Sequence, residues 1–107
     1  MKNVKQMILN KQEILKDLEE NKEQIKGYGV KKIGLFGSYI RNEQRERSDI
    51  DILVEFEKEK ITFDNYIHLK FFLEDLLGCK IDLVIRDDLK RRLKPYILKE
   101  VEYAKEL

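Results

Sequence analysis

The sequence predicts an α/β protein, called α+β in some schemes, built on one small mixed sheet with helices packed mainly on one face. Three observations carry that expectation. Three short runs rich in β-branched and aliphatic residues, Ile33–Phe36, Ile50–Phe56 and Lys80–Ile85, read as strands. Carboxylates alternate with apolar residues in the last two, as on strands with one buried face. Before and between the runs, apolar residues recur at helical spacing, with no repeat, low-complexity stretch or linker composition.

Taken in order, Val4, Met7, Ile8, Leu15, Leu18 and Ile25 predict an N-terminal helix from about Lys2 to Lys26, ending at Gly27. Gly27-Tyr28-Gly29 is a turn that precedes a strand and no helix, so it is not a dinucleotide fingerprint. Ile33–Phe36 then runs into Gly37-Ser38, as a strand runs into a tight turn. In Ile50–Phe56, Ile50, Ile52 and Val54 face one way, and Asp49 and Asp51 the other. Thr62 caps a long helix through Leu77, with Phe63, Tyr66, Ile67, Leu73, Leu76 and Leu77 to cover the sheet. In the third strand Ile81, Leu83 and Ile85 share a face, leaving Asp82 with Val84. The last segment, Asp88 to Leu107, reads as helical but broken near Pro95, which suits the first turn of a new helix, with Tyr96, Ile97, Val101 and Ala104 docking it.

Chemistry concentrates in Gly37-Ser38, ten residues, Asp49-Ile50-Asp51, and then Asp82. If the second and third strands are neighbours, three aspartates converge. Like charges that close raise one another's pKa unless a cation sits among them. Magnesium is the natural occupant, since it takes oxygen ligands at about 2.0 to 2.1 Å and usually only one or two carboxylates, completing its shell with water and substrate phosphates. Gly37-Ser38 supplies the complementary half, because glycine admits a phosphate close to the backbone and amides opening a helix attract anions. An Asp-x-Asp alone is common; it is the combination on successive strands that points to metal and triphosphate.

Composition narrows the alternatives. At 107 residues the expectation is one domain, 1–107, with a single core and no room for a separate acceptor-binding domain. A balance of 22 basic against 21 acidic residues provides no global field for nucleic acid, so no stable nucleic-acid binding is expected. Lys90-Arg91-Arg92 with Lys94 reads as a solvated face, while Arg45 and Arg47 are near enough to the aspartates to meet a triphosphate. His68 has no second histidine and reads as a surface or packing residue. A single cysteine, Cys79, excludes an internal disulfide and fits a reducing cytoplasm. No signal peptide and no apolar run near the roughly 18 residues of a membrane span is visible.

The stretch from Gly37 to Val54 resembles the signature of the minimal nucleotidyltransferases, single-domain relatives of the DNA polymerase β catalytic fold, and the order of elements matches over nearly the whole chain. The resemblance implies that Asp49, Asp51 and Asp82 hold two Mg²⁺ ions, with Gly37, Ser38 and Arg41 at the nucleotide. Where the family pattern has a small residue before that arginine and a glycine after it, this chain has Ile40 and Asn42; asparagine tolerates positive φ, so the turn can still form. The family also implies a substrate, ATP, and a partner, a small helical HEPN toxin, to whose tyrosine AMP would be moved by this chain as antitoxin. The competing class is a non-catalytic module that inhibits the same partner by contact. Self-association is left open.

Overall fold

In the computed structural model, which describes residues 10–45 and 49–105, the alternation read above sorts the strands. They are β1 (Val30–Phe36), β2 (Ile50–Phe56), β3 (Ile81–Ile85) and β4 (Glu102–Tyr103), in the sheet order β3-β2-β1-β4. Strand β1 is antiparallel to β2 and to β4, and β2 is parallel to β3, so the sheet is mixed. Among the described residues five α-helices accompany it: α1 (Lys11–Glu20), α2 (Lys22–Gly27), α3 (Ser38–Arg41), α4 (Phe63–Leu77) and α5 (Lys94–Glu100). Among the described residues no helix is long and apolar enough to cross a membrane.

The expected first helix is divided. Val4, Met7 and Ile8 lie outside the described residues. Helix α1 begins at a capping box, in which the Glu13 amide donates to the Asn10 side chain (2.9 Å) and the Asn10 amide to that of Glu13 (3.2 Å). It breaks at Asn21, whose side-chain amide donates back to the Asp17 carbonyl at 2.8 Å. An asparagine that bonds its own helix in this way competes with the backbone ladder and favours a break. Ile14, Leu18 and Ile25 are nonetheless all fully buried, so both pieces keep one face on the core.

Strand pairing brings Ile33 opposite Val54 and Leu35 opposite Ile52, and these residues join Ile50, Ile81 and Leu83 in the main core. Helix α4 covers them with Leu69, Leu73 and Leu77, a stripe four residues apart. Thr62 does cap it, accepting from the Asn65 amide at 3.1 Å. Phe63, expected to cover the sheet, instead stands 73% exposed in the first turn, beyond the stripe. Tyr66 serves a polar purpose as well: its hydroxyl donates to the Leu83 carbonyl at 2.7 Å, and Glu74 accepts from the Ile81 amide at 3.2 Å. Helix α4 thereby caps backbone groups along the open edge of β3 that would otherwise template another strand.

The path from β3 to β4 explains the second face. Both strands are antiparallel to β1 or parallel to a strand that is, so the connection is a parallel crossover, and it travels across the sheet in the opposite direction from β2–α4–β3. Right-handed crossovers then place α4 and α5 on opposite faces. Leu53, fully buried, and Phe36 lie outside the main core cluster, on the face that also bears Asp51. On the carboxylate side of the sheet, Val101 and Tyr103 stand against Gly34. Pro95 sits in the first turn of α5 as expected, whereas Tyr96, expected to dock the helix, is 74% exposed. Strand β4 was not foreseen; it can approach β1 closely because Gly34 has no side chain, and a Cβ there would lie 2.8 Å from Val101 Cγ2 and 2.9 Å from the Glu102 carbonyl oxygen. Beyond it Ala104 is buried and its amide donates to the Ile33 carbonyl at 2.9 Å.

These burials set a contrast for urea denaturation. Leu73→Ala should cost about 2–5 kcal/mol, as core truncations do, while Phe63→Ala should stay within about 0.5 kcal/mol of wild type.

Candidate active site

Parity and register together build the site. Asp51 and Asp82 are each the second residue of their strand, and the parallel pairing makes them direct neighbours. Asp51 is half-buried and Asp82 exposed. Burial, first of all, pushes the Asp51 carboxyl up to about 6; the Asp82 charge, a hydrogen bond shared with Asp82 and the Asp49 charge add to the rise, and Arg41 opposes it. Asp49 precedes β2 and is exposed, reaching Asp51 through its field. Strict alternation would have put Asp49 on the strand, but β2 begins at Ile50.

On the other side of Asp51 lies the Gly-Ser turn. Phe36 is the residue paired with Asp51, so the chain leaves β1 directly beside the carboxylate. Gly37 takes φ 80°, and a Cβ there would collide with the Asp51 carboxylate. Only glycine meets both demands. The turn then winds into α3 and closes at Asn42, which adopts the left-handed conformation (φ 60°, ψ 38°) in the place where the resembling family has glycine. Ile40 is half-buried against the core. Tyr39 is buried behind the turn; burial, then Cys79 and Asp49, raise its hydroxyl pKa, and burial followed by Asp49 and Glu74 does the same to the half-buried Cys79 thiol.

A residue that sequence reasoning missed completes the arrangement. Glu100, at the end of α5, accepts from the Gly37 amide at 2.8 Å and from Arg41 Nη1 at 3.0 and 3.2 Å. Arg41 also donates through Nε to Glu43 at 3.1 Å, so its guanidinium is held by two carboxylates. No local motif marks Glu100. Its place follows from β4 pairing with β1, which sets Leu35 against Glu102 and leads the preceding residues toward Gly37.

Other candidates fall elsewhere. Arg47 lies outside the described residues, Arg45 is exposed, and Lys90, Arg91, Arg92 and His68 are exposed. A groove of about 470 Å³, lined by Ile61, Phe63, Tyr66, Leu83 and Ile85 among others, runs along the outer edge of β3, away from the carboxylates. Among the described residues no three acidic, histidine or cysteine side chains close into a preformed metal cage. The Asp51–Asp82 pair nonetheless fits a hard cation, because magnesium commonly uses one or two carboxylates and the crowding that raises Asp51 is what a cation relieves.

Comparison with known proteins agrees with this geometry. A family profile described as nucleotidyltransferase domain matches residues 11–106. Protein adenylyltransferase MntA of Thermococcus cleftensis is 42% identical over 98 residues, which is 91% of this chain and 98% of that protein. A solved protein assigned as a minimal nucleotidyltransferase is 36% identical with a TM-score of 0.68, covering 82% of this chain and 93% of that one. A toxin-antitoxin crystal structure with AMP-PNP contains a chain 27% identical with a TM-score of 0.64, covering 90% of this chain and 73% of that one.

The raised Asp51 carboxyl fixes a pH dependence. A proton held more tightly in the folded protein than in the unfolded chain stabilises the fold at low pH, and that contribution is lost as pH rises from about 4 to about 6. In EDTA, Asp51→Asn should therefore melt above wild type at about pH 7.5 and with it at about pH 4. Solvent screening of the half-exposed carboxylate reduces the gain to on the order of 1 kcal/mol, or about 4–8 °C by scanning calorimetry.

Proposed function

The chain belongs to the nucleotidyltransferase domain family, and on that premise we propose that it is a protein adenylyltransferase antitoxin, moving AMP from ATP to a tyrosine hydroxyl of a small helical HEPN-type toxin. The observation that carries this reading is the Asp51–Asp82 pair set beside a Gly37-Ser38 turn that only glycine can make. The MntA relative is named for protein adenylylation, and the toxin-antitoxin neighbour holds an ATP analogue, which support the acceptor and the donor respectively.

In the reaction the tyrosine oxygen attacks the α-phosphorus of ATP. A new O–P bond forms, the bond from the α-phosphorus to the bridging oxygen breaks, and pyrophosphate leaves with that oxygen. Asp82, exposed on β3, would take the proton of the attacking hydroxyl. Asp49 and Asp51 would hold one Mg²⁺, and the same pair with Asp82 a second. When bound, these ions neutralise the triphosphate and polarise the attacking hydroxyl. Gly37 lets the main chain approach the phosphates, Ser38 offers its hydroxyl and amide, and Arg41 meets them by exchanging a carboxylate partner for phosphate. Rate then comes from positioning and electrostatics, with no protein nucleophile.

Intact-mass spectrometry of the partner toxin decides the matter. With ATP and Mg²⁺, wild type should add whole adenylyl groups and release pyrophosphate. Asp82→Ala should bind both partners and transfer at least about a hundredfold more slowly, the usual scale for losing a general base. A toxin silenced without any mass change, by wild type and Asp82→Ala alike, would show inhibition by contact.

A further inference from the structure

Two of the residues assigned above to the nucleotide, Gly37 through its amide and Arg41 through its guanidinium, are held by one carboxylate from the far end of the chain. That carboxylate is Glu100, 63 residues from Gly37. Its bond to the amide is charge-assisted, and Gly37 is thereby gripped from two sides, by Glu100 at its N–H and by the Asp51 carboxylate against its Cα. Among the described residues Glu100 takes neither the Ser38 amide nor its hydroxyl, so the turn is braced without being filled.

Arg41 supplies the second half of the argument. It ends the four-residue helix that starts beside Gly37, whose Cα abuts the Asp51 carboxylate, and its charge lowers that carboxyl's pKa, so the guanidinium stands within electrostatic reach of the acidic pair. A cation that long, if released, would settle on the nearest uncompensated carboxylates, because opposite charges within a few ångströms stabilise each other most where solvent is reduced. Glu100 with Glu43 offers Arg41 a closer alternative.

We propose that Glu100 is a positioning residue that pins the Gly37-Ser38 turn and holds Arg41 off the Asp51–Asp82 pair, keeping that pair free for a divalent cation. This rests on the nucleotidyltransferase reading given above. It also gives the crossing helix a function, since the end of α5 becomes the brace of the nucleotide site. Glu100 itself touches no reacting atom.

The test uses the whole chain, calorimetric titration with ATP at graded Mg²⁺, and hydrogen exchange at the Gly37 amide. Glu100→Gln keeps an acceptor for that amide but loses the charge that retains Arg41; Glu100→Ala loses both. In each, the Mg²⁺ needed for half-maximal ATP binding should rise about tenfold. Adding Arg41→Gln to Glu100→Gln should lower ATP affinity at saturating Mg²⁺, because a phosphate contact is lost, yet bring the Mg²⁺ requirement back toward wild type, which a merely destabilised fold would not do. Exchange at Gly37 should quicken about tenfold in Glu100→Ala and stay within about threefold in Glu100→Gln. Should Glu100→Ala fail to fold, Glu100→Gln and the double variant carry the test. A wild-type Mg²⁺ requirement in Glu100→Gln overturns the proposal, with the nucleotidyltransferase reading intact. A wild-type protein that binds no Mg·ATP overturns both.

Discussion

Two carboxylates held side by side in parallel strands are the constraint on which the working end of this protein depends. Asp51 and Asp82 are neighbours because β2 and β3 pair in register, and that register is secured by the apolar residues on the opposite face. Slipping β3 by one residue against β2 would turn Leu83 outward and bury Asp82. The core therefore offsets the electrostatic tension it creates. Gly37 packs against the same Asp51 carboxylate, so the Gly37-Ser38 turn and the acidic pair cannot move independently.

The second constraint is topological. A mixed sheet in the order β3-β2-β1-β4 obliges the chain to cross from one edge to the other after its third strand. Handedness sends that crossing toward the face that bears the carboxylates, and the end of α5 delivers Glu100 to Gly37. A feature that first secures the fold thus also shapes the site. Lys11 reaches Glu102 at 2.8 Å, tying the first described helix to the same final strand.

Much of this was legible in the sequence, for physical reasons that differ from residue to residue. Alternation in Ile50–Phe56 and Lys80–Ile85 places Asp51 and Asp82 on one face because strand periodicity is rigid, and Thr62 announces its helix because an unsatisfied first turn needs a cap. Asn42 was readable as a left-handed position. Helix ends and short pairings were not. Phe63 and Tyr96 are apolar or aromatic at helix starts, where periodicity cannot distinguish a residue over the sheet from one beyond it. Asn21 breaks a helix through a side-chain bond that hydrophobic spacing does not register. Strand β4 has two residues, and Glu100 acquires its partners only through that pairing.

If crowding of the acidic pair is what prepares the site for a cation, the ionisation of Asp51 should report it directly. Carboxyl-carbon NMR of labelled protein, titrated with and without Mg·ATP, follows that one group. The account predicts a midpoint near the value of about 6 in the metal-free protein. With Mg·ATP it should fall to about 4 or below, the ordinary aspartate range, as the cation replaces the shared proton. An ordinary midpoint without metal, or a raised one that Mg·ATP leaves in place, would contradict it.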